Sequence, residues 1–358
     1  MRNTNISAPL VTVLIDSYNY EWYIEETVES ALAQDFPREQ REILVVDDGS
    51  TDDTTERLKK CGDAIRYLRK PNGGQASAFN FGFAEARGEI LAMLDADDLW
   101  LPDKLRRVCE TFEKNPQAGM VYHRTYLWRG GEQTEADGYF MEVSGRVPEN
   151  RVSLLRYPMV GTSCLAFRRS ASHSLLPVPE ALRSQADAYL TALIIFVAPV
   201  VALPEFLAKY RLHGASLFQT DQRGGAKDRI ENRLEMRSAL LAEIRRLIEC
   251  NVRNVASSDL RAYLTQWTKS QELDASELHK PGHWKYFRHL WEYPRVYGEI
   301  MTSRHRLYSY IRASSALLLG YDHLHLLDSF REGFKGLFGG PIRGTVPSEV
   351  RKEAAAKG

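Results

Sequence analysis

The feature that most constrains this chain is a strand–helix alternation in which several strands end in acidic clusters. Residues 10–15 form an unbroken apolar run rich in β-branched side chains, as a buried parallel strand requires. Ile24, Val28, Ala31 and Leu32 follow at helical spacing. Residues 42–46 (EILVV) form a second run, and Ser50, Thr51 and Asp52 are suited to cap a helix carrying Leu58. Residues 65–68 form a third run, followed by the loop Pro71-Asn72-Gly73-Gly74 and a helix over 75–86. Residues 89–94 (EILAML) form a fourth, and Pro102 opens a helix with Leu105, Val108 and Phe112 on one face. Such repetition predicts an α/β fold, a mostly parallel sheet covered by helices on both faces, which binds ligands at the carboxyl ends of its strands. Asp16-Ser17-Tyr18-Asn19, Asp47-Asp48-Gly49-Ser50 and Asp95-Ala96-Asp97-Asp98 all fall at those ends.

Each cluster suggests chemistry. Three carboxylates packed after an apolar strand repel one another and resist desolvation. A hard divalent cation such as Mg²⁺ or Mn²⁺ relieves both costs, taking one or two carboxylates and completing its shell with water and phosphate oxygens. Asp98 can serve instead at the start of the helix near Pro102. A carboxylate in the Asp47-Asp48 cluster can accept hydrogen bonds from a base or ribose, or cap the following helix with Ser50 and Thr51. Asp187, at the start of a helix over 186–197, and His213, in Arg211-Leu212-His213, read locally as a cap and a structural histidine.

Farther along, 120–126 is expected to be a strand, Gly130-Gly131 a hairpin turn, 138–160 irregular, and 162–167, 200–203 and 206–210 short strands. From about Lys227 the chain carries a helical stripe of Ile230, Leu234, Leu241, Ile244 and Ile248. Trp284, Tyr286, Phe287, Trp291, Tyr293 and Tyr297 interleave with Lys285, Arg288, His289 and Arg295. That stretch suits a helical appendage or second-subunit contact, and also a membrane interface. The expected organisation is a catalytic domain over 1–225, a helical region over 226–340 and a polar, disordered tail over 341–358. With 47 acidic and 47 basic residues, net charge is zero, so no global field favours nucleic acid or an anionic membrane. Four scattered cysteines form no zinc-spaced set. No apolar stretch reaches the roughly 18 residues of a membrane span. These point to a cytoplasmic protein, with peripheral contact at the inner membrane face left open.

The strings VTVLIDSYNYEWYIEETVESALAQDFP, EILVVDDGSTDDT and NGGQASAFNFGFAEARGEILAMLDADDLWLPDKL, in that order over about the first 120 residues, resemble the family 2 glycosyltransferases. A weaker likeness over about 160–215 includes Asp187 and ends in YRLHG. The resemblance implies a GT-A fold, with nucleotide-binding residues over about 1–120 and acceptor-binding residues over about 121–225. It implies nucleoside contacts from Asp16, Tyr18, Asp48 and Asp95. It also implies a DxD motif in which Asp95 and Asp97 hold Mn²⁺ or Mg²⁺ with His213, and a catalytic base at Asp187. The implied reaction is inverting, non-processive transfer from a nucleotide-diphosphate sugar, most readily a UDP-sugar, to a carbohydrate or lipid-linked acceptor, as in polysaccharide biosynthesis. A homodimer is compatible with the chain.

The chain departs from the family pattern at Asp16, where Pro or Thr is more usual, at Phe79, where many members carry Arg, and at Ala186, where Glu usually precedes the base. No QxxRW motif is present. The rival readings are a sugar-phosphate nucleotidyltransferase and a non-catalytic nucleotide-sugar-binding protein. The first calls for a Gly-rich, Lys/Arg-bearing loop where this chain has Asp16-Ser17-Tyr18-Asn19-Tyr20.

Overall fold

The computed structural model of the protein describes residues 10–135, 144–145, 161–184 and 186–213, together with positions 238, 242, 291 and 310. The strands are β1 (Val11–Ser17), β2 (Arg41–Asp47), β3 (Arg66–Arg69), β4 (Ile90–Asp95), β5 (Leu99–Trp100), β6 (Met120–Arg129), β7 (Glu132–Glu135), β8 (Leu165–Arg168) and β9 (Val200–Arg211). The helices are α1 (Ile24–Leu32), α2 (Thr54–Lys59), α3 (Gln75–Glu85), α4 (Lys104–Lys114), the short α5 (Arg169–Ser172) and α6 (Ala186–Val197). The strands form one sheet in the order β3-β2-β1-β4-β8-β6-β9-β5, with β7 paired to β6.

Because strand side chains alternate in direction, each apolar run feeds two cores. Val11, Val13, Ile15, Ile43, Val45, Ala92 and Leu94 pack with Ile24 and Val28 of α1, Leu58 of α2 and Leu105, Val108 and Phe112 of α4. Leu14, Leu44, Val46, Leu91 and Met93 pack on the other face with Phe79 and Phe83 of α3 and Tyr189, Leu190 and Leu193 of α6. Burying each such aliphatic or aromatic side chain contributes about 1.5–3 kcal/mol. The result is a sheet covered by helices on both faces.

The sheet departs from the simple parallel pattern at β8, which runs antiparallel to both β4 and β6. A short apolar run fits either direction, so only the connection decides. The run expected over 162–167 becomes strand only from Leu165, because Thr162–Cys164 forms a 3₁₀ turn closed by Cys164 N–H on the Gly161 carbonyl at 2.9 Å. The segments expected at 200–203 and 206–210 are one strand, β9. Pro204 lies where the β6–β9 register slips, Leu203 opposing His123 and Phe206 opposing Arg124. A residue without an N–H is tolerated at such an irregularity. Leu99–Trp100, which carried no strand signal, pairs with Ala208 and Lys209 of β9. Gly130 and Gly131, at φ 56° and 94°, make the expected two-residue hairpin between β6 and β7.

A close approach sits at Gly88, just before β4. A Cβ there would lie 2.4 Å from Thr12 N and 2.6 Å from the Val11 carbonyl carbon, both backbone atoms that cannot swing away. Gly88→Ala is therefore expected to destabilise the protein by about 1–3 kcal/mol, the usual range for overpacking. A urea midpoint equal to the wild type's would contradict it.

The chain divides into two compact units, residues 1–278 and 279–358. In the second, the rings of Trp291 and Tyr310 meet at 4.7 Å. The expected limits at 225 and 340, the helical stripe from Lys227, most of the aromatic–basic stretch and the tail lie outside the described residues. Among the described residues, no helix is long and apolar enough to cross a membrane.

Candidate functional site

The carboxyl ends of β1, β2 and β4 lie side by side, with Asp16 in register with Asp95 and Ser17 with Asp47. The loop leaving β1 is tied to the loop leaving β2. Asn19, at φ 60°, donates its N–H to Ser50 Oγ at 2.9 Å and accepts from Thr51 N–H on its Oδ1 at 2.7 Å. Tyr20 N–H donates to Thr54 Oγ1 at 2.9 Å. These bonds stand where cap bonds from Ser50 and Thr51 were expected; Asp52 Oδ1 accepts from Thr54 N–H at 3.1 Å. Tyr18, 44% exposed, is left at the mouth.

Asp47 and Asp48 do different work. Burial pushes the Asp47 carboxyl up, but bonds from Ser50, Tyr67 and Thr55 outweigh it and hold the group below the ordinary carboxylate range. Asp47 is thus a structural anchor. Asp48 organises the 70–74 loop. Its Oδ1 accepts from Lys70 Nζ at 2.6 Å and Gly73 N–H at 2.9 Å, and its Oδ2 from Gly74 N–H at 2.7 Å and Asn72 Nδ2 at 3.1 Å.

At the end of β4, ligand-type oxygens of Asp95, Asp97 and Asp98 lie within 4.8 Å of one another. His213, carried in by β9, places Nε2 2.8 Å from Asp97 Oδ2. Its ring packs on Tyr23 at 4.4 Å and meets Tyr20 edge-on at 6.3 Å. Asp98 is not part of a helix start. Its Oδ2 accepts from Ser163 Oγ at 2.6 Å and its Oδ1 from Arg211 N–H at 2.9 Å, so both oxygens are engaged, while α4 begins only at Lys104. Asp95 and Asp97 are then the acids of this cluster whose carboxylates could still take a cation. Desolvation, reinforced by the neighbouring carboxylates, holds Asp95 and Asp98 well above the ordinary range. Asp16 is pushed to about 7 by burial and by Asp97, Asp187 and Asp48, against backbone hydrogen bonding that lowers it. Its Oδ1 is buried without a hydrogen-bond partner among the described residues. The Arg211 guanidinium donates to the Asp97 backbone carbonyl at 2.7 Å and to Glu26 at 2.7 Å, and its charge partly offsets the upward push on Asp98. No Lys or Arg side chain bonds the carboxylates of Asp16, Asp95, Asp97 or Asp98 among the described residues. Crowded oxygens with one imidazole and no directly bonded Lys or Arg among the described residues fit a hard divalent ion.

Asp187 stands in the first turn of α6 and lies near enough to the same region to act on it electrostatically. Its charge is felt by both Asp16 and Asp95. Its Oδ2 accepts from Thr162 Oγ1 at 3.3 Å and its Oδ1 from Ala188 N–H at 2.8 Å. Burial raises its carboxyl, against the lowering effect of those bonds. The site thus brings together Asp16, Asp95, Asp97, His213 and Asp187, with Asp48 beneath the adjoining loop and Tyr18 at the rim. Phe79 is fully buried against Phe83, so it offers nothing to a phosphate.

Sequence reasoning missed Thr162, Ser163 and Arg211. Ser163 Oγ also accepts from Asp95 N–H at 3.0 Å. Nothing in a run such as Gly161-Thr162-Ser163-Cys164 signals this. Arg211 lies inside YRLHG, but nothing local signals that its backbone N–H serves Asp98.

Comparison with known proteins bears on this geometry. The model of the family described as Glycosyl transferase family 2 matches residues 12–176. A protein of Nostoc sp. named as an uncharacterised glycosyltransferase is 34% identical over 216 residues, 58% of this chain and 66% of that protein. One from Rickettsia typhi, named likewise, is 30% identical over 220 residues, 60% of this chain and 68% of that protein. A Rickettsia felis relative is matched over 35% of its length, so parts of the relatives have no counterpart in the alignment. The fold is shared with S. aureus TarS 1–349 in complex with UDP-GlcNAc, at TM-score 0.60 and 19% identity over 90% of this chain and 92% of that one. It is also shared with a Pyrobaculum calidifontis mannosyltransferase in complex with GDP-Man and Mn²⁺, at TM-score 0.51 and 18% identity over 92% and 88%.

Proposed function

The chain belongs to glycosyl transferase family 2, and we propose from that membership that it moves a sugar from a nucleotide-diphosphate donor, a UDP-sugar first, to an acceptor hydroxyl with inversion. The observation that carries the reading is the convergence of Asp95, Asp97 and His213 at the end of β4, with Asp187 entering the same region from α6.

Asp16 and Tyr18 stand where they can meet the nucleoside, the first with an unpartnered oxygen and the second exposed at the mouth. The Asp48 oxygens are already engaged, so its contribution is to hold the 70–74 loop in shape beside that pocket. Asp95, Asp97 and His213 would hold Mn²⁺ or Mg²⁺, which supplies Lewis-acid stabilisation of the departing diphosphate. Asp187 takes the proton from the acceptor hydroxyl as it attacks the anomeric carbon. A single carboxylate base on the side away from the leaving group gives in-line displacement. Thr162 and the Ala188 N–H orient that carboxylate. The nucleotide sugars and the Mn²⁺ bound by the two structural neighbours support both the donor class and the cation.

A thermal-shift panel tests the reading. UDP or a UDP-sugar is expected to stabilise the protein, by about 2.7 kcal/mol at 100 times Kd, and more strongly with Mn²⁺ than with a chelator. No shift with any nucleoside diphosphate or nucleotide sugar, with or without Mn²⁺, would overturn it. Donor hydrolysis in the absence of acceptor separates an enzyme from a non-catalytic binder.

A further inference from the structure

The Thr162–Cys164 turn is buried, yet it carries no apolar load of its own beyond Cys164, and both of its hydroxyls are hydrogen-bonded. Ser163 Oγ donates to Asp98 Oδ2 at 2.6 Å and accepts from Asp95 N–H at 3.0 Å. The Ser163 carbonyl accepts from below, from Lys104 Nζ at 2.6 Å and Trp100 Nε1 at 3.0 Å. Lys104 is fully buried, its ammonium nitrogen 3.5 Å from the centre of the Trp100 ring. Burying a lysine is costly, and here its hydrogen-bond acceptor is the carbonyl of this turn.

The bonds continue outward from Ser163 in two directions. In one, Asp98 Oδ1 accepts from Arg211 N–H at 2.9 Å, Arg211 Nε donates to the Asp97 carbonyl at 2.7 Å, and His213, two residues on, meets Asp97 Oδ2 at 2.8 Å. In the other, the preceding Thr162 Oγ1 donates to Asp187 Oδ2 at 3.3 Å. One tight turn therefore touches the acids at the end of β4 and the carboxylate of α6.

We propose that Thr162 and Ser163 are positioning residues that set the two halves of the site against each other. Ser163 places Asp95 directly and Asp97 with His213 through Asp98 and Arg211, while Thr162 orients Asp187. This inference rests on the proposed function, and it predicts that the two halves can be loosened separately.

Mn²⁺ titration followed by electron paramagnetic resonance, without donor or acceptor, reads the first half. Ser163→Ala is expected to weaken Mn²⁺ binding 10–100-fold, as loss of groups that orient metal ligands does. Ser163→Thr, which keeps the hydroxyl, restores it. Ser163→Cys, which preserves volume with a poor hydrogen-bonding group, reports the same loss if the alanine variant does not fold. Donor turnover with water as acceptor reads the second half. Thr162→Val lowers kcat roughly tenfold, the scale of one hydrogen bond to a charged group, with donor KM and Mn²⁺ affinity unchanged, and Thr162→Ser restores kcat. Wild-type Mn²⁺ affinity in Ser163→Ala and Ser163→Cys overturns the inference alone, as does a Thr162→Val variant that loses Mn²⁺ affinity and turnover together. Wild-type protein that binds no Mn²⁺ overturns this inference and the cation site it rests on, whereas the thermal-shift panel decides the donor reading separately.

Discussion

Asp187→Asn is expected to lower sugar transfer by about 10²–10⁴-fold while leaving UDP and Mn²⁺ affinity close to wild type. That range is what a positioned general base contributes. The substitution keeps the shape of the side chain, so an amide oxygen can still accept from Thr162 Oγ1 or from Ala188 N–H. What disappears is the capacity to take a proton, which matters only as the acceptor attacks, so the loss belongs in kcat and not in donor binding. The wild-type pH profile carries a linked expectation. Burial raises the Asp187 carboxyl, and the base must be ionised to act. Activity is therefore lost as pH falls through a value above the ordinary 3.8 of an aspartate. Transfer at near-normal rate in the variant, or loss of nucleotide binding along with transfer, would make Asp187 a structural residue.

Asp97→Ala should abolish the response of nucleotide binding to Mn²⁺ and reduce transfer by roughly 10³-fold, about 4 kcal/mol of charge stabilisation at the leaving diphosphate. The fold should survive. The substitution removes one hydrogen bond, to His213, worth about 1 kcal/mol. It also removes a charge that helps to push Asp16, Asp95 and Asp98 upward. In calorimetry with a chelator the variant should consequently melt close to the wild type, and only the wild type should gain on adding Mn²⁺ and UDP. An unchanged Mn²⁺ response in the variant would remove Asp97 from the ligand set.

Much of this was visible in the chain because the relevant signals are local. A β-branched run followed by an acid and a helix start announces a strand end, and strand ends are where such sheets bind ligands; the position of Asp16, Asp48 and Asp95 at adjoining strand ends was legible that way. Asp187 and His213 were not. Read locally they are a helix cap and a lone imidazole, and only the resemblance assigned them roles. Asp98 shows how a local rule misleads: an acid shortly before a helix looks like a cap, but its partners, Ser163 and Arg211, lie 65 and 113 residues away. The reversal of β8 and the continuity of β9 across Pro204 were hidden for the same reason, since direction and pairing depend on the rest of the sheet.

The reversal of β8 has a consequence for how such a protein can diversify. Because β8 runs against β4, its first residue, and not its last, sits at the rim where β4 ends. Gly161 and the Thr162–Cys164 turn therefore stand at that rim, and the strand that follows pins them to the sheet. Stretches of chain spliced in ahead of Gly161 would change what reaches the rim while β1 to β4 keep their register. The molecule is in this sense a fixed handle with an exchangeable bit, and swapping the segment before Gly161 between relatives is the economical way to ask what each one decorates.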